Sequence, residues 1–343
     1  MEEEPCTAEH PKRLPGRAGM PRHEGLRHQG LVLLGILALA GAYYGCARAG
    51  LVLHIVENQV TPYWPPTGLA VAALLLFGLR LWPGITLAAF LVNLPLGPSP
   101  PAVLAIAVGN TLAPVCACLV LTRTGFSPEL GHLRDVLKLV FIGALGGMVI
   151  SATVGSVALM AAGAVPGNEF WPTWAVWWTG DAMGVLVFAP AFLLLPRFRS
   201  LRGVGVRRWV ELVGLLTATV LVALVAATSP SGMLFLTFPF LVWAAVRFQL
   251  AGAVPCVLLA SSITVVLAVQ RHGRFGWHSL FLDMVTLQAF NGSIALTALL
   301  LSAVVTERNR AYAEIRRACT QLAAAVAEPA ADSDARPRSA DQP

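Results

Sequence analysis

The chain has 343 residues, of which 56% are hydrophobic and only 12% charged, and its net charge is +6. Soluble domains carry about a quarter charged residues, and soluble monomers rarely expose apolar patches beyond a few hundred Å². An ordinary soluble domain, a disordered chain and a fibrous repeat are excluded, and spans of about 20 residues each would use this apolar content as roughly eight to ten membrane crossings.

The first 29 residues are polar, with Pro, Gly, His and Arg scattered through them. They read as a disordered cytoplasmic tail, since neither an apolar run nor a small-residue cleavage site marks a signal peptide. Residues 30–306 read as the membrane-embedded unit. Its candidate spans are Leu31–Ala47, Pro65–Leu79, Trp82–Leu96, Ala102–Leu121, Val136–Ala162, Trp171–Leu195, Val210–Ala227, Met233–Val246, Ala251–Val269 and Ser279–Thr306. The second, third and eighth are short enough to be tilted or re-entrant. The predicted fold class is an all-α polytopic bundle.

Arg and Lys cluster in alternate connections. Arg123, Arg134 and Lys138 fall on one side, with Arg197, Arg199, Arg202, Arg207 and Arg208 and then Arg308, Arg310, Arg316 and Arg317, against Arg48, Arg271 and Arg274 on the other. That bias predicts both termini in the cytoplasm, with the bilayer as the chain's main partner. Trp64, Trp171, Trp174 and Trp277 would form an interfacial belt on the outer side. No aromatic-interleaved basic motif points to nucleic acid. The six cysteines lie mostly in apolar runs, and Cys116 and Cys118 point to different faces of one helix. No metal or cofactor site is read from them.

Small residues recur every four positions at Gly143, Gly147, Ser151 and Gly155, and again at Gly109, Ala113 and Ala117. That spacing suits close helix packing in lipid. The segment Tyr63-Trp64-Pro65-Pro66-Thr67-Gly68 follows another proline, Pro62. Prolines this dense cannot continue a helix. Irregular backbone at membrane depth must be buried in protein or line a cavity, so this string is a candidate ligand contact.

Asp181 stands inside the sixth span, where a carboxylate costs about 2.5–3.5 kcal/mol on insertion scales. It is expected to face the interior as a functional polar site or a structural pair. Asp283 and Gln288 lie in the last span, and Asn93 and Asn110 are expected to make interhelical hydrogen bonds. His54 and Glu57 share one helical face near the outer end of the first span. Arg80 and Arg247 are expected to snorkel. Residues 307–343 read as a short juxtamembrane helix followed, from Glu328, by a disordered tail. In that helix Val305, Tyr312, Ile315, Cys319, Leu322 and Val326 keep a three-four spacing, a seam of about three heptads.

Several strings together resemble the membrane-associated sensor domain of the first type, the MASE family. They are Trp64-Pro65-Pro66-Thr67-Gly68, Phe77-Gly78-Leu79-Arg80-Leu81-Trp82-Pro83-Gly84, Asn93, Gly109-Asn110-Thr111 and Trp177-Trp178-Thr179-Gly180-Asp181 with Ala189-Pro190. They continue with Phe238-Pro239, Trp243-Ala244-Ala245-Val246-Arg247-Phe248 and Glu307-Arg308. They occur in the family's order from about Leu31 to Glu307. The resemblance implies a bacterial inner-membrane input module, in that family usually followed by a histidine kinase, a diguanylate cyclase or a phosphodiesterase. No phospho-acceptor helix, ATP lid or cyclase string follows the last span here. The expectation is a sensory module that is not itself an enzyme. It would read an unknown small ligand or the membrane state and signal to a separate histidine kinase or cyclic-dinucleotide enzyme.

The candidate ligand residues are Trp64, Pro65, Pro66, Thr67, Asn93, Asn110, Trp177, Trp178, Asp181 and Asp283. The candidate output helix carries Val305, Tyr312, Ile315 and Leu322. A small-molecule transporter is the alternative, since intramembrane acids beside proline-broken helix entries suit a substrate or proton path. An aspartyl dyad of Asp181 and Asp283 is disfavoured, because Trp178-Thr179-Gly180-Asp181 has Trp178 where intramembrane aspartyl proteases use a further glycine, and the order of the two acids is wrong.

Overall fold

The computed structural model describes residues 22–52, 63–196, 205–229, 233–270 and 280–333. Among these the chain is helical, with no strand. In chain order the helices are α1 (Arg22–Val52), α2 (Pro65–Phe77), α3 (Trp82–Asn93), α4 (Pro100–Arg123), α5 (Leu133–Lys138) and α6 (Val149–Ala161). They continue with α7 (Phe170–Met183), α8 (Ala189–Leu194), α9 (Val206–Thr228), α10 (Phe238–Phe248), α11 (Leu250–Val269) and α12 (Leu280–Ser333). Seven helical stretches are long and apolar enough to cross a membrane, and Pro65–Phe77, Leu79–Asn93 and Leu234–Phe248 are shorter apolar helices. These are the three spans expected to be short. Leu31, Leu37, Phe77, Phe141, Val210 and Leu221 are exposed on the outside, as a lipid-facing belt requires.

Two spans are not uniform helices. Leu139–Gly146 joins α5 to α6 and Gly184–Phe188 joins α7 to α8, both with a wider helical winding. In the first, the Gly147 N–H reaches back five residues to the Ile142 carbonyl at 2.8 Å. In the second, Pro190 has no N–H to give the Leu186 carbonyl, which loosens the turn. Apolar periodicity does not register a one-residue widening, so both spans read as continuous in the sequence.

The helices form two packed groups. Leu39, Ala40 and Tyr43 of α1 share a core with α2 and with Ile85, Ala88 and Ala89 of α3. A larger core takes in α4, the two wide turns and α9–α12. Helix α2 lies between the groups, giving Val71 and Ala72 to the larger core and Ala70, Ala73 and Leu74 to the smaller. Helix α4 packs on α3 and α6. There the small-residue stripes meet, with no room for a Cβ at Gly147 against Ala117 or at Gly109 against Val154.

Two boundaries and one side chain differ from expectation. Helix α1 begins at Arg22, inside the predicted tail, and α12 runs to Ser333, past the predicted end of helix at Glu328. Once a helix is nucleated, each further residue adds one hydrogen bond, so polar residues can extend an apolar span. Arg247 does not merely snorkel: its Nε and Nη2 donate to Glu211 of α9 at 2.7 and 3.0 Å. His54, Glu57, Pro62, Arg197, Arg199, Arg202, Arg271, Arg274 and Trp277 lie outside the described residues, as do the predicted tail up to residue 21 and the chain beyond Ser333.

Candidate functional site

Asp181 lies eleven residues into α7, about 16 Å at 1.5 Å per residue, near the middle of a hydrocarbon layer about 30 Å thick. The residue is 2% exposed. Thr67 Oγ1 of α2 donates to Oδ1 at 2.6 Å, and Ser151 Oγ of α6 donates to Oδ2 at 2.5 Å. Trp177 stands one turn before it on the same helix. Every partner is a donor, so one buried acid ties together three segments distant in sequence. Thr67 is also the third residue of α2, at the positive end of that helix's dipole. A carboxylate beside that end gains electrostatic support without a cation.

The proline-rich string is built into this hub. The Trp64 N–H donates to the Gly180 carbonyl at 3.0 Å, and the Thr67 N–H to the Trp64 carbonyl at 3.2 Å. Pro65, Pro66 and Thr67 are buried. Irregular backbone therefore enters α2 at mid-membrane depth inside protein, where its polar groups are satisfied. The approach is backbone to backbone. A Cβ on Gly184 would collide with the Trp64 carbonyl, and one on Gly68 with the Gly184 carbonyl. Tyr43 of α1 is buried in the adjoining core. Around Asp181 the site is filled by protein.

The open side is aromatic. Trp174 stacks on Trp178, with ring centroids 5.6 Å apart and planes 19° apart, and Trp171 meets Trp174 edge-on at 6.1 Å. Trp178 Nε1 donates to the Leu145 carbonyl at 2.8 Å, in the wide turn before α6, and Trp174 Nε1 to Thr153 Oγ1 at 3.0 Å. Trp171 is 70% exposed. Spacings of three and four put these rings on one face of α7, so they form a row from the surface to the residues flanking Asp181. Trp177 lies over Gly155, where no Cβ would fit.

The remaining expected site residues distribute as follows. Asn93 does not reach across to a neighbour: its Nδ2 donates to the Ala89 carbonyl of its own helix at 2.8 Å. Asn110 is half-buried on α4, next to Gly109, whose added Cβ would lie 3.7 Å from the Ser151 Cα. Pro114 withholds the N–H that the Asn110 carbonyl would otherwise accept. Asp283 is buried at the start of α12, in the helix that packs on α10 and α11 rather than among the Asp181 partners. Val305 is buried, whereas Tyr312, Ile315 and Leu322 are exposed.

Other residues of the site were not expected. The Tyr63 hydroxyl donates to Ser262 Oγ of α11 at 3.2 Å, and its ring meets Phe188 at 5.1 Å. The adjacent Ser261 Oγ donates to Asn291 Oδ1 of α12 at 2.7 Å. A polar file thus runs from the string that touches Asp181 to the last helix. A tyrosine within an apolar stretch needs a partner for its hydroxyl, and that was the available signal for Tyr63. At the opposite end of the bundle from Trp171, Glu307 Oε1 accepts from the Leu133 N–H at 3.0 Å and lies 3.2 Å from His132 Nδ1. Arg310 reaches His132 Nε2 at 3.2 Å and Glu129 at 3.6 Å. Arginine only donates, so Nε2 accepts and Nδ1–H donates to Glu307. Helix α12 is clasped there to the α4–α5 connection.

The MASE1 family profile matches residues 34–309. A curated relative, "Probable diguanylate cyclase DgcE" of Escherichia coli (strain K12), is 27% identical over 228 residues, covering 63% of this chain and 19% of the relative. The chain thus spans about a fifth of that relative's length. No solved structure matches.

Proposed function

The chain belongs to the MASE1 family of membrane sensory domains, and on that premise we propose that it is the input module of a bacterial signalling system. The membrane unit, residues 30–306, reads a small ligand or a state of the bilayer at the Asp181 hub and the Trp171–Trp174–Trp178 row. It sits in the inner membrane with both termini cytoplasmic. In support, Arg123, Arg134 and Lys138 flank the end of the bundle where α12 leaves it, as the positive-inside rule expects. The output travels along α12, and the recipient is a separate histidine kinase or cyclic-dinucleotide enzyme.

One observation carries this reading. The polar file Tyr63–Ser262 and Ser261–Asn291 connects the hub to the helix that leaves the membrane. Any signal requires a ligand to bind two states of the bundle with different affinity, and α11, bonded on adjacent residues to the proline-rich string and to α12, is the element through which the hub would bias α12. The test is co-expression with each kinase and cyclase of the host, reading phosphorylation or cyclic di-GMP. At least one output should depend on the chain, and Asp181→Asn or Trp178→Ala should shift it. If no output responds to the presence of the chain, the reading fails.

A second reading is favoured by α2 itself. A thirteen-residue helix that begins beside a mid-membrane carboxylate resembles the half-helices of transporters. Uptake or proton flux in proteoliposomes, abolished by Asp181→Asn, would replace the sensory reading.

A further inference from the structure

Beyond Glu307 and Arg310, α12 stands clear of its own bundle, and residues 308 to 324 are exposed. A helix in a protein draws most of its stability from packing an apolar face. This one nevertheless presents bare apolar groups, with Tyr312 65%, Ile315 60% and Leu322 66% exposed. With Tyr312 at heptad position a, Ile315 and Leu322 fall at d and the exposed Cys319 falls at a. At 100° per residue this seam points about 130° away from Glu307 and Arg310, the side chains that hold the stem to the α4–α5 connection. The bundle grips one face of the stem and leaves the apolar face turned outward.

We infer that the seam is covered by a second copy of this chain, in a parallel two-stranded coiled coil that begins at Tyr312. The flanking positions favour an identical strand. Positions e and g hold Ala311, Arg316, Ala318, Ala323 and Ala325, so no like-charged g–e′ pair opposes self-association. Nor is there an acidic or basic pattern of the kind that selects a different strand. Glu314, Arg317 and Gln321 fall on the outer positions c and f. Two copies in one membrane share an orientation, so their stems leave it parallel and at the same height. A closed two-fold dimer follows, and common anchoring raises the effective concentration of one stem near the other. The d position nearer the membrane is Arg308, which places the start of the zipper one turn outside the bundle.

The test is disulfide crosslinking of the full-length chain in native membranes, with the other five cysteines replaced by serine. Cys319 should give a covalent homodimer on mild oxidation. Moving the single thiol to Tyr312→Cys or Leu322→Cys in a Cys319→Ser background should retain the dimer, while Glu314→Cys or Gln321→Cys should lose it. Ile315→Asp with Cys319 intact should abolish the crosslink, while the yield of folded membrane protein, which the exposed stem does not determine, stays unchanged. Crosslinking that ignores the three-four spacing, its absence at every seam position, or its capture of a different protein in place of the second copy would overturn the proposal. None of these outcomes depends on whether the chain is a sensor or a transporter.

Discussion

At Gly184 the Trp64 carbonyl occupies the space of a side chain. Gly184→Ala must part α2 from α7 and should cost about 1–3 kcal/mol, in the range of overpacked cores. Thermal unfolding in detergent, followed by tryptophan fluorescence, measures it. Gly214→Ala on α9 meets open space and should be neutral or stabilising by up to about 1 kcal/mol. Asp181 should tolerate amide better than hydrocarbon. Asp181→Asn keeps one acceptor oxygen, and the Thr67 and Ser151 hydroxyls can turn to accept. Asp181→Leu leaves the Thr67 hydroxyl without its partner, while Ser151 Oγ can fall back on the Met148 carbonyl at 3.1 Å, and should lose about 1–3 kcal/mol more; the opposite order would refute the hydrogen-bond geometry. The acid was legible in the sequence as an expensive buried charge. The pairing was not: Thr67 was a candidate only through its proline-rich string, and neither it nor Ser151 could be matched to the acid until the fold brings them within 3 Å of it. Ser151 stood out only as one member of a packing stripe.

Among elements, the short second, third and eighth spans were legible from length alone, and the irregular entry to α2 from its prolines. The wide turns were hidden, since Leu139–Gly146 and Gly184–Phe188 are as apolar as their neighbours. The tie between α11 and α12 was hidden too. Ser261 and Asn291 read as isolated polar residues, and only packing shows that they meet. Hydrogen bonds between membrane helices average about 0.6 kcal/mol, so Tyr63→Phe and Asn291→Leu should each destabilise only slightly. Their effects on the output should be more informative. If the file carries the signal, Tyr63→Phe should reduce the response to Asp181→Asn, and the double variant should depart from additivity. Strict additivity of all three would show that the hub and α12 communicate by another route.

At the scale of the whole molecule, two helix groups are joined through α2, and within the larger one Glu307 clasps α12 to the α4–α5 connection. The clasp is half exposed, with side-chain exposures of 41% at His132 and 40% at Glu307, so its contribution to stability should stay near 0–1 kcal/mol and weaken with salt. Its geometric effect should be larger. Glu307→Ala frees the stem from the α4–α5 connection and should speed tryptic cleavage at Arg316 and Arg317 in intact membranes, with little change in unfolding temperature. An unchanged cleavage rate would show that the clasp does not hold the stem. The sequence marked Glu307-Arg308 as a motif at the end of the last span. It could not name His132, which lies 175 residues away along the chain and is brought to Glu307 only by antiparallel packing.

Helix α12 has no break from Leu280 to Ser333 over 54 residues, and that continuity makes it a shaft. Asn291 and Leu322 are about 46 Å apart along one axis. With no hinge between them, a turn imposed inside the membrane emerges at the seam with the same angle. Phase then becomes the quantity the molecule transmits. One residue inserted after Arg310 should swing the seam by about 100° and scramble the output, and two or three should swing it further. A seven-residue insertion should return it almost to register and restore the output. A response that fell steadily with inserted length, without recovering at seven, would mean that the shaft conveys distance and not rotation.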